Sequence, residues 1–486
     1  MRLIFFGDLA QTGFGTVTLD LGPRLVRMGH DVRFVSQNSI GPKPPLSEIE
    51  DLAAQIETHG GVASYDRIAY APFAVRFAEA ETTYEKALQS AKETTEKHRY
   101  DGLPPEFHGR VFQVDSPLAW NGWRPGDTEV GSTAGLFDGT AWQDGWMPEA
   151  GFVLGDPIAA RATIMVDEPT KAAFASVPMF HYVPIEGVGL PVRWAEIWKI
   201  VRPVAMSEFG ADQIEAITGD RPPVVYHGID QTVFYPVSRT QPLVLEDGSK
   251  LTSRGQCRDW LKIPADAKVL FRADTNMPRK RYASLFRALA PVLASHPDVF
   301  LAIHARSVNM GGDLHDEISK YHPSVGSRFV NTGFRDLYVD TPRYMLTMLY
   351  NAADLYVSVG AEGFGLTIAE SLACGTPAVV LDFSSCSELI GLKPRRGNEL
   401  APVREGTCGL AVRPSGLVDN EYNYFWAAVD ETAFGHAVVR LLDDQVMRRF
   451  MGARAPQHVA ATFSWERAAE QFSELFENAA KETVAA

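Results

Sequence analysis

Short apolar runs of strand length recur along the chain, and most are followed by stretches whose apolar positions repeat at helical spacing. Leu3 to Phe6 predicts a first strand, Thr12-Gly-Phe-Gly-Thr16 a glycine turn, the stretch up to Gly29-His30 a helix, and Asp31 to Ser36 a second strand. Pro23 falls inside that helix and predicts a kink or an early end. After a Gly-Pro-Lys-Pro-Pro loop, Phe73, Phe77, Ala80, Tyr84, Leu88 and Ala91 form a helical stripe of core type. The segment 111 to 150 has no such regularity; it sets Trp120, Trp123, Trp142 and Trp146 among glycines and aspartates, to be read either as packing or as a stacking surface for an acceptor. Alternation resumes at Phe180 to Gly187 and Val201 to Met206, then from Lys268, with strands expected near 299 to 305, 328 to 332, 355 to 359, 378 to 382 and 409 to 412. The pattern is that of an α/β chain with two doubly wound parallel sheets. Ser464 opens a last amphipathic helix.

One stretch joins this pattern to chemistry. Gly360-Ala-Glu-Gly-Phe-Gly-Leu-Thr-Ile-Ala-Glu-Ser-Leu-Ala-Cys-Gly-Thr-Pro377 lies between a strand ending at Val359 and a helix over Leu366 to Ala373, closed by Gly375 and Pro377. Open α/β sheets bind ligands at such strand-to-helix turns, because the first helix amides lack partners and the helix dipole favours an anion. Gly363 and Gly365 permit close backbone approach. Glu362 lies in the turn and Glu370 one turn into the helix, roughly 6 Å apart along the axis. Two carboxylates flanking a diphosphate-sized gap suit a nucleotide sugar, whose hydroxyls they accept from; the plain alternative is a loop glutamate and a helix glutamate with no common task.

This spacing, with Gly-Thr-Pro and Glu388 after it, resembles the donor site of retaining GT-B glycosyltransferases of the glycogen-synthase-like group (glycosyltransferase family 4-like). Ser207-Glu-Phe-Gly and Val224 to Pro236 are similar to the end of that family's first domain. The resemblance implies two Rossmann-like domains facing across a cleft: an acceptor domain over 1–235 with a large insertion at about 37–150, a donor domain over 236–462, and a helix over 463–486 crossing back. It places Glu362 on the donor sugar and Glu370 on the ribose, with Gly363, Phe364, Gly365 and Leu366 around the donor and Gly13 and Gly15 facing it, although alone the last two read as a structural turn. It implies a nucleobase pocket after Arg328 to Gly333, acceptor choice set by 37–150, and retention at the anomeric carbon.

A departing nucleoside diphosphate needs a metal or fixed cations. The chain holds no Asp-x-Asp triplet, and Arg272, Arg279 and Lys280 are the candidate cations. The family sets its arginine five or six residues before the lysine; here those positions are Thr275 and Asp274, so Arg279 competes with Arg272 for the second phosphate contact. His181 and Glu186 are the candidates late in the first domain, where the family has a histidine, with Glu186 for sugar or acceptor contact and His181 open to a structural reading.

Composition narrows the partners. A net charge of -14 argues against general nucleic-acid or membrane-surface binding. Four cysteines without zinc spacing read as reduced thiols, and no apolar run reaches membrane length. The expectation is a cytoplasmic, metal-independent hexosyltransferase without a cofactor, taking a UDP- or GDP-type donor and a glycan, small-molecule, protein or modified nucleic-acid-base acceptor. The rivals are a silent nucleotide-sugar-binding or assembly subunit, and a phosphorylase or epimerase on the same scaffold.

Overall fold

The computed structural model describes residues 1–7, 13–36, 104–107, 110–114, 129–130, 135–140, 144–245, 247–323, 325–332, 343–395, 401–420 and 422–485. The Phe73–Ala91 stripe, Trp120, Trp123, Trp142 and the loop beginning at Gly333 lie outside them.

The first sheet is built from β1 (Arg2–Gly7), β2 (Asp31–Ser36), β3 (Val111–Val114), β4 (Glu129–Val130), β5 (Ala150–Leu154), β6 (Met179–Val183) and β7 (Arg202–Ala205). Its order is β4-β3-β2-β1-β5-β6-β7 and every pairing is parallel, with Leu3 opposite Val32 on one side and Ala150 on the other. Every residue of β5 and β6 is buried, His181 in β6 included, as expected of parallel strands covered on both faces. The chain order reverses between β1 and β5, which makes that crevice the switch point of the sheet.

The second sheet repeats the plan. Six parallel strands run in the order 329–331, 299–304, 268–273, 355–358, 378–381 and 409–412, and 403–405 adds an antiparallel edge. Its switch point lies between Lys268–Ala273 and Leu355–Ser358. Between the sheets, the polar stretch after Pro236 holds a short hairpin (Leu243–Val244 with Lys250–Leu251) and the helix Arg254–Trp260.

Several contacts hold the two sheets face to face. The helix Trp465–Ala485 lies on the first sheet, with Phe472 and Phe476 stacked on Phe152 at 5.2 and 5.9 Å and Ser473 hydrogen-bonded to His30 Nε2 at 2.8 Å. Where the chain passes between domains, the Ile229 amide donates to Phe463 O at 3.1 Å. A Cβ on Gly228 would stand 2.0 Å from the Trp465 nitrogen, so no side chain fits there. A hairpin, Gly416–Asp419 with Phe425–Ala428, leaves the second domain and pairs with the first: Val188 and Phe425 exchange backbone bonds of 3.0 and 2.9 Å.

Two expectations are corrected. The first helix, Gly13–Arg27, does not end early at Pro23, which is buried within it. It also begins at Gly13, so Gly13 and Gly15 form its first turn instead of a separate loop. No described helix is long and apolar enough to cross a membrane.

Candidate active site

The second switch point gathers most of the predicted residues. Beyond Lys268–Ala273 the chain turns through Asp274 into a short 3-10 turn, Pro278–Lys280, and beyond Leu355–Ser358 it reaches Glu362. Lys280 Nζ donates to Glu362 Oε1 at 2.5 Å and lies 2.6 Å from Asp274 Oδ1. Arg272, with no exposed surface, donates from Nε and Nη2 to Asp274 Oδ2 at 3.2 and 3.0 Å, and from Nη2 to the Lys280 carbonyl at 2.5 Å. Its guanidinium also sits 4.5 Å from the centre of the Tyr282 ring, while its buried Nη1 has no partner. Burial pushes the Asp274 carboxyl pKa up, but Lys280 and Arg272 more than reverse this and hold it below the ordinary range. Asp274, a departure from the family spacing, is thus the carboxylate that clamps both cations.

The turn carrying Glu362 is held by the segment that follows Ala378–Leu381. The Glu362 amide donates to Ser384 Oγ at 3.0 Å, and Ser385 Oγ donates to the carbonyls of Glu362 and Phe364 at 2.9 and 2.6 Å. Ser384 has φ +54°, an unfavourable region for a serine, and its hydroxyl is fixed there by the Glu362 amide and by Cys386 Sγ at 3.6 Å. Nothing in the sequence except a run of small hydroxyl residues marked this support. Gly365, at φ +102°, caps the helix Leu366–Ala373, and a Cβ there would meet Leu389 at 2.8 Å. The phenyl ring of Phe364 points into the interdomain core, 4.7 Å from His227 and 5.4 Å from Phe463, and Leu366 is partly buried.

Glu370 is buried on that helix and accepts from Tyr350 OH at 2.7 Å. Burial pushes its pKa up to about 7, against the pull of the tyrosine and of Arg343. Arg343 itself crosses to the first domain, its Nη1 and Nη2 donating to Asp20 at 3.1 and 3.0 Å. Glu388 makes a second crossing. Its carboxylate accepts from the amides of Glu208 and Phe209, both at 2.9 Å, and from Tyr226 OH at 2.6 Å. It therefore completes the amino end of the first-domain helix Glu208–Thr218, whose own cap Ser207 accepts from Gly210. Burial raises its pKa to about 7 as well.

On the first-domain side the loop after β6 faces this constellation. Pro184 packs on Gly363, where a Cβ would lie 2.2 Å from the proline Cβ. Arg279 Nη1 donates to Glu186 Oε1 at 2.8 Å across the cleft. Burial raises the Glu186 pKa, with Arg279 opposing it. Gly187 lies against the Tyr424 ring and the Phe425 carbonyl.

His181 does not join them. It is fully buried, its Nε2 donates to Gly155 O at 2.9 Å, and Trp198 Nε1 donates to its Nδ1 at 3.0 Å. Both ring nitrogens are thus engaged, and burial lowers the pKa to about 4. This corrects the expectation of a sugar-touching histidine: the ring is a neutral structural group beneath the cleft. His227 is likewise buried, between Trp465 and Phe364, and bonded to Tyr182 at 2.7 Å. Asp230 accepts from the Thr232 amide, which is turn chemistry. No atom of the described residues lies within 4 Å of where a Cβ on Gly13 would stand, and Gly15 is buried in the same first turn. Trp146 packs under Arg33 at 4.6 Å and donates to Asp31 at 2.8 Å, a structural role. All four cysteines are buried free thiols, and no group of three or more potential metal ligands occurs among the described residues.

Residues 266–444 match the family described as Glycosyl transferases group 1. The chain is 30% identical over 233 residues to a D-inositol 3-phosphate glycosyltransferase of Corynebacterium diphtheriae, covering 47% of each chain. It is 30% identical over 282 residues to the Kineococcus radiotolerans protein of the same description, covering 57% of this chain and 55% of the relative. The aligned part thus spans about half the length of these curated relatives. Among solved structures, sucrose-phosphate synthase from Thermosynechococcus elongatus superposes with a TM-score of 0.57 at 15% identity, covering 100% of both chains. Anabaena HepE in complex with UDP and glucose does so with 0.56 at 13% identity, covering 98% of this chain and 100% of that one. The fold is GT-B.

Proposed function

We propose that this GT-B chain, whose residues 266–444 are a glycosyl transferases group 1 domain, transfers a hexose from a nucleoside-diphosphate sugar to a hydroxylated acceptor, with retention and without a metal. The observation that carries the reading is the linked set Arg272, Asp274, Lys280 and Glu362 at the second switch point, with Glu370 one turn deeper. In this reading Lys280 and Arg279 receive the diphosphate and neutralise the charge that grows on it as the glycosidic bond breaks, work that fixed cations do well in a site shielded from water. Arg272 is the buried support that keeps Asp274, and through it Lys280, in place. Glu362 accepts from the sugar hydroxyls and Glu370 from the ribose. Glu186 lies on the acceptor side. Anabaena HepE is described in complex with UDP and glucose and in complex with UDP-glucose, which favours a uridine donor, and the curated relatives' inositol phosphate makes a phosphorylated polyol the first acceptor to try.

The test is a panel of UDP-, GDP-, ADP- and dTDP-sugars with EDTA present, scored for thermal stabilisation and slow release of nucleoside diphosphate. One donor that does both, with release undiminished by EDTA, supports the reading. A protein that no nucleotide sugar stabilises is not a glycosyltransferase of this type.

A further inference from the structure

Among the described residues, the ion-paired charges at the switch point balance. Three cations, Arg272, Arg279 and Lys280, face three carboxylates, Asp274, Glu186 and Glu362. An arriving diphosphate therefore meets no surplus of positive charge unless one cation changes partner. Arg272 and Lys280 are poor candidates, because both share Asp274, and the side chains of Arg272, Lys280 and Asp274 are 0%, 6% and 5% exposed. Parting them would strand a buried charge, which is costly. Arg279 differs: its side chain is 33% exposed, and the carboxylate it bonds, Glu186, belongs to the opposite domain.

The loop that carries Glu186 does not depend on that ion pair. Pro184 is seated on Gly363, Gly187 on Tyr424, and Val188 is bonded in both directions to Phe425. When Arg279 turns away, the backbone stays and the carboxylate is left at the cleft wall. The charged and titratable groups around it are Arg279, Lys280, Glu362 and Asp156, with the Tyr424 phenol nearby. Lys280 is held by Glu362 and Asp274.

Building on the donor-site reading above, we propose that Arg279 exchanges Glu186 for the donor diphosphate, and that the Glu186 carboxylate released in this way becomes the acceptor's hydroxyl-binding group. Binding is then ordered, donor first. Before the donor arrives Glu186 is occupied; afterwards it is an unpaired carboxylate beside the sugar-binding glutamate, suited to accept from a polyol hydroxyl. The pair thus acts as a latch between the two halves of the site.

The exchange predicts that removing an acidic side chain from the site strengthens binding, which damage to the structure would not do. UDP and GDP are titrated calorimetrically into the native protein, Glu186→Gln, Arg279→Gln and the double variant, at low and high salt. Glu186→Gln should bind the nucleoside diphosphate about five- to tenfold more tightly at low salt, with a smaller gain at high salt. Arg279→Gln should bind it more weakly, and the double variant should match Arg279→Gln, because the competitor matters only through the arginine. Should Glu186→Gln fold poorly, Glu186→Asp, which shortens the reach across the cleft, should give a smaller gain. Unchanged or weakened affinity in the Glu186 variants, with Arg279→Gln weakened, overturns the exchange while leaving the donor site standing. Failure of the native protein to bind either nucleotide overturns both.

Discussion

At the switch point of the first sheet, the carboxylate just beyond β5 is Asp156, and it is occupied at home: it accepts from the Ile158 and Ala159 amides and caps its own helix. At the switch point of the second sheet, the corresponding turns hold Asp274, Lys280 and Glu362 in contact with one another and with Arg272. The two sheets share strand number and a near-identical parallel winding, yet among the described residues mutually compensating charges surround only the second crevice. Architecture gives both places access to a ligand. The chemistry depends on whether the loop residues are used on the local backbone or left to face across the cleft.

The sharpest way to separate the two places is Glu362→Gln, which should reduce transfer by about 100- to 1000-fold while leaving nucleoside-diphosphate affinity within a small factor. Parallel measurement of donor turnover and UDP affinity checks this, and equal loss of both would make Glu362 a structural residue. Next in size, Lys280→Ala should weaken nucleoside-diphosphate binding by about 30-fold and free nucleoside hardly at all. It leaves Asp274 and Glu362 short of a partner, so unfolding in urea should also show a loss of about 3 kcal/mol.

A subtler difference lies in the buried glutamates. Glu370 and Glu388 rise from an ordinary 4.5 to about 7 in the folded chain, so the folded state keeps protons that the unfolded chain releases. Stability from this source is fullest below the ordinary value, declines as pH climbs from there, and is lost once pH passes about 7. Each group contributes up to about 3 kcal/mol by this route. Urea unfolding at about pH 5.5 and about pH 8 should show the decline, and Glu370→Gln should flatten its share; a native protein without that slope would mean these carboxyls titrate normally. The smallest effect belongs to the first switch point. Asp156→Ala should cost about 1 kcal/mol, the worth of a helix cap, and leave nucleotide binding unchanged, as thermal melting with and without UDP would report.

The second domain was the more legible half, and the reason is local coding. The helix Leu366–Ala373 and the strand Gly409–Val412 match the pattern residue for residue, since each is bounded by glycine or proline, the strand being buried throughout and the helix from Ile368 onward. Glu362 and Glu370 stood out because spacing around glycines is visible in one dimension, and Lys280 because it lies in a cationic cluster just after a strand. Pro23 misled because a proline's local penalty was outweighed by burial against the first sheet. His181 misled because the groups that silence it, Gly155 O and Trp198, come from elsewhere in the chain. For the same reason the bonds from Glu388 to the Glu208 helix, from Arg343 to Asp20 and from Arg279 to Glu186 could not be read in advance. Each joins two separately coded sheets, and only their relative placement creates it.

The Val188–Phe425 bridge turns this placement into a statement about kinetics. Two domains joined only at their crossovers would swing apart on a hinge, each increment of angle costing little. Here the hairpin of one domain is stitched edge to edge with a loop of the other, so parting on that side must break both backbone bonds together and lift Pro184 off Gly363. Opening there is a discrete event with a threshold, and the amides of Val188 and Phe425 are its clocks: their hydrogen-exchange rates count how often the cleft lets go.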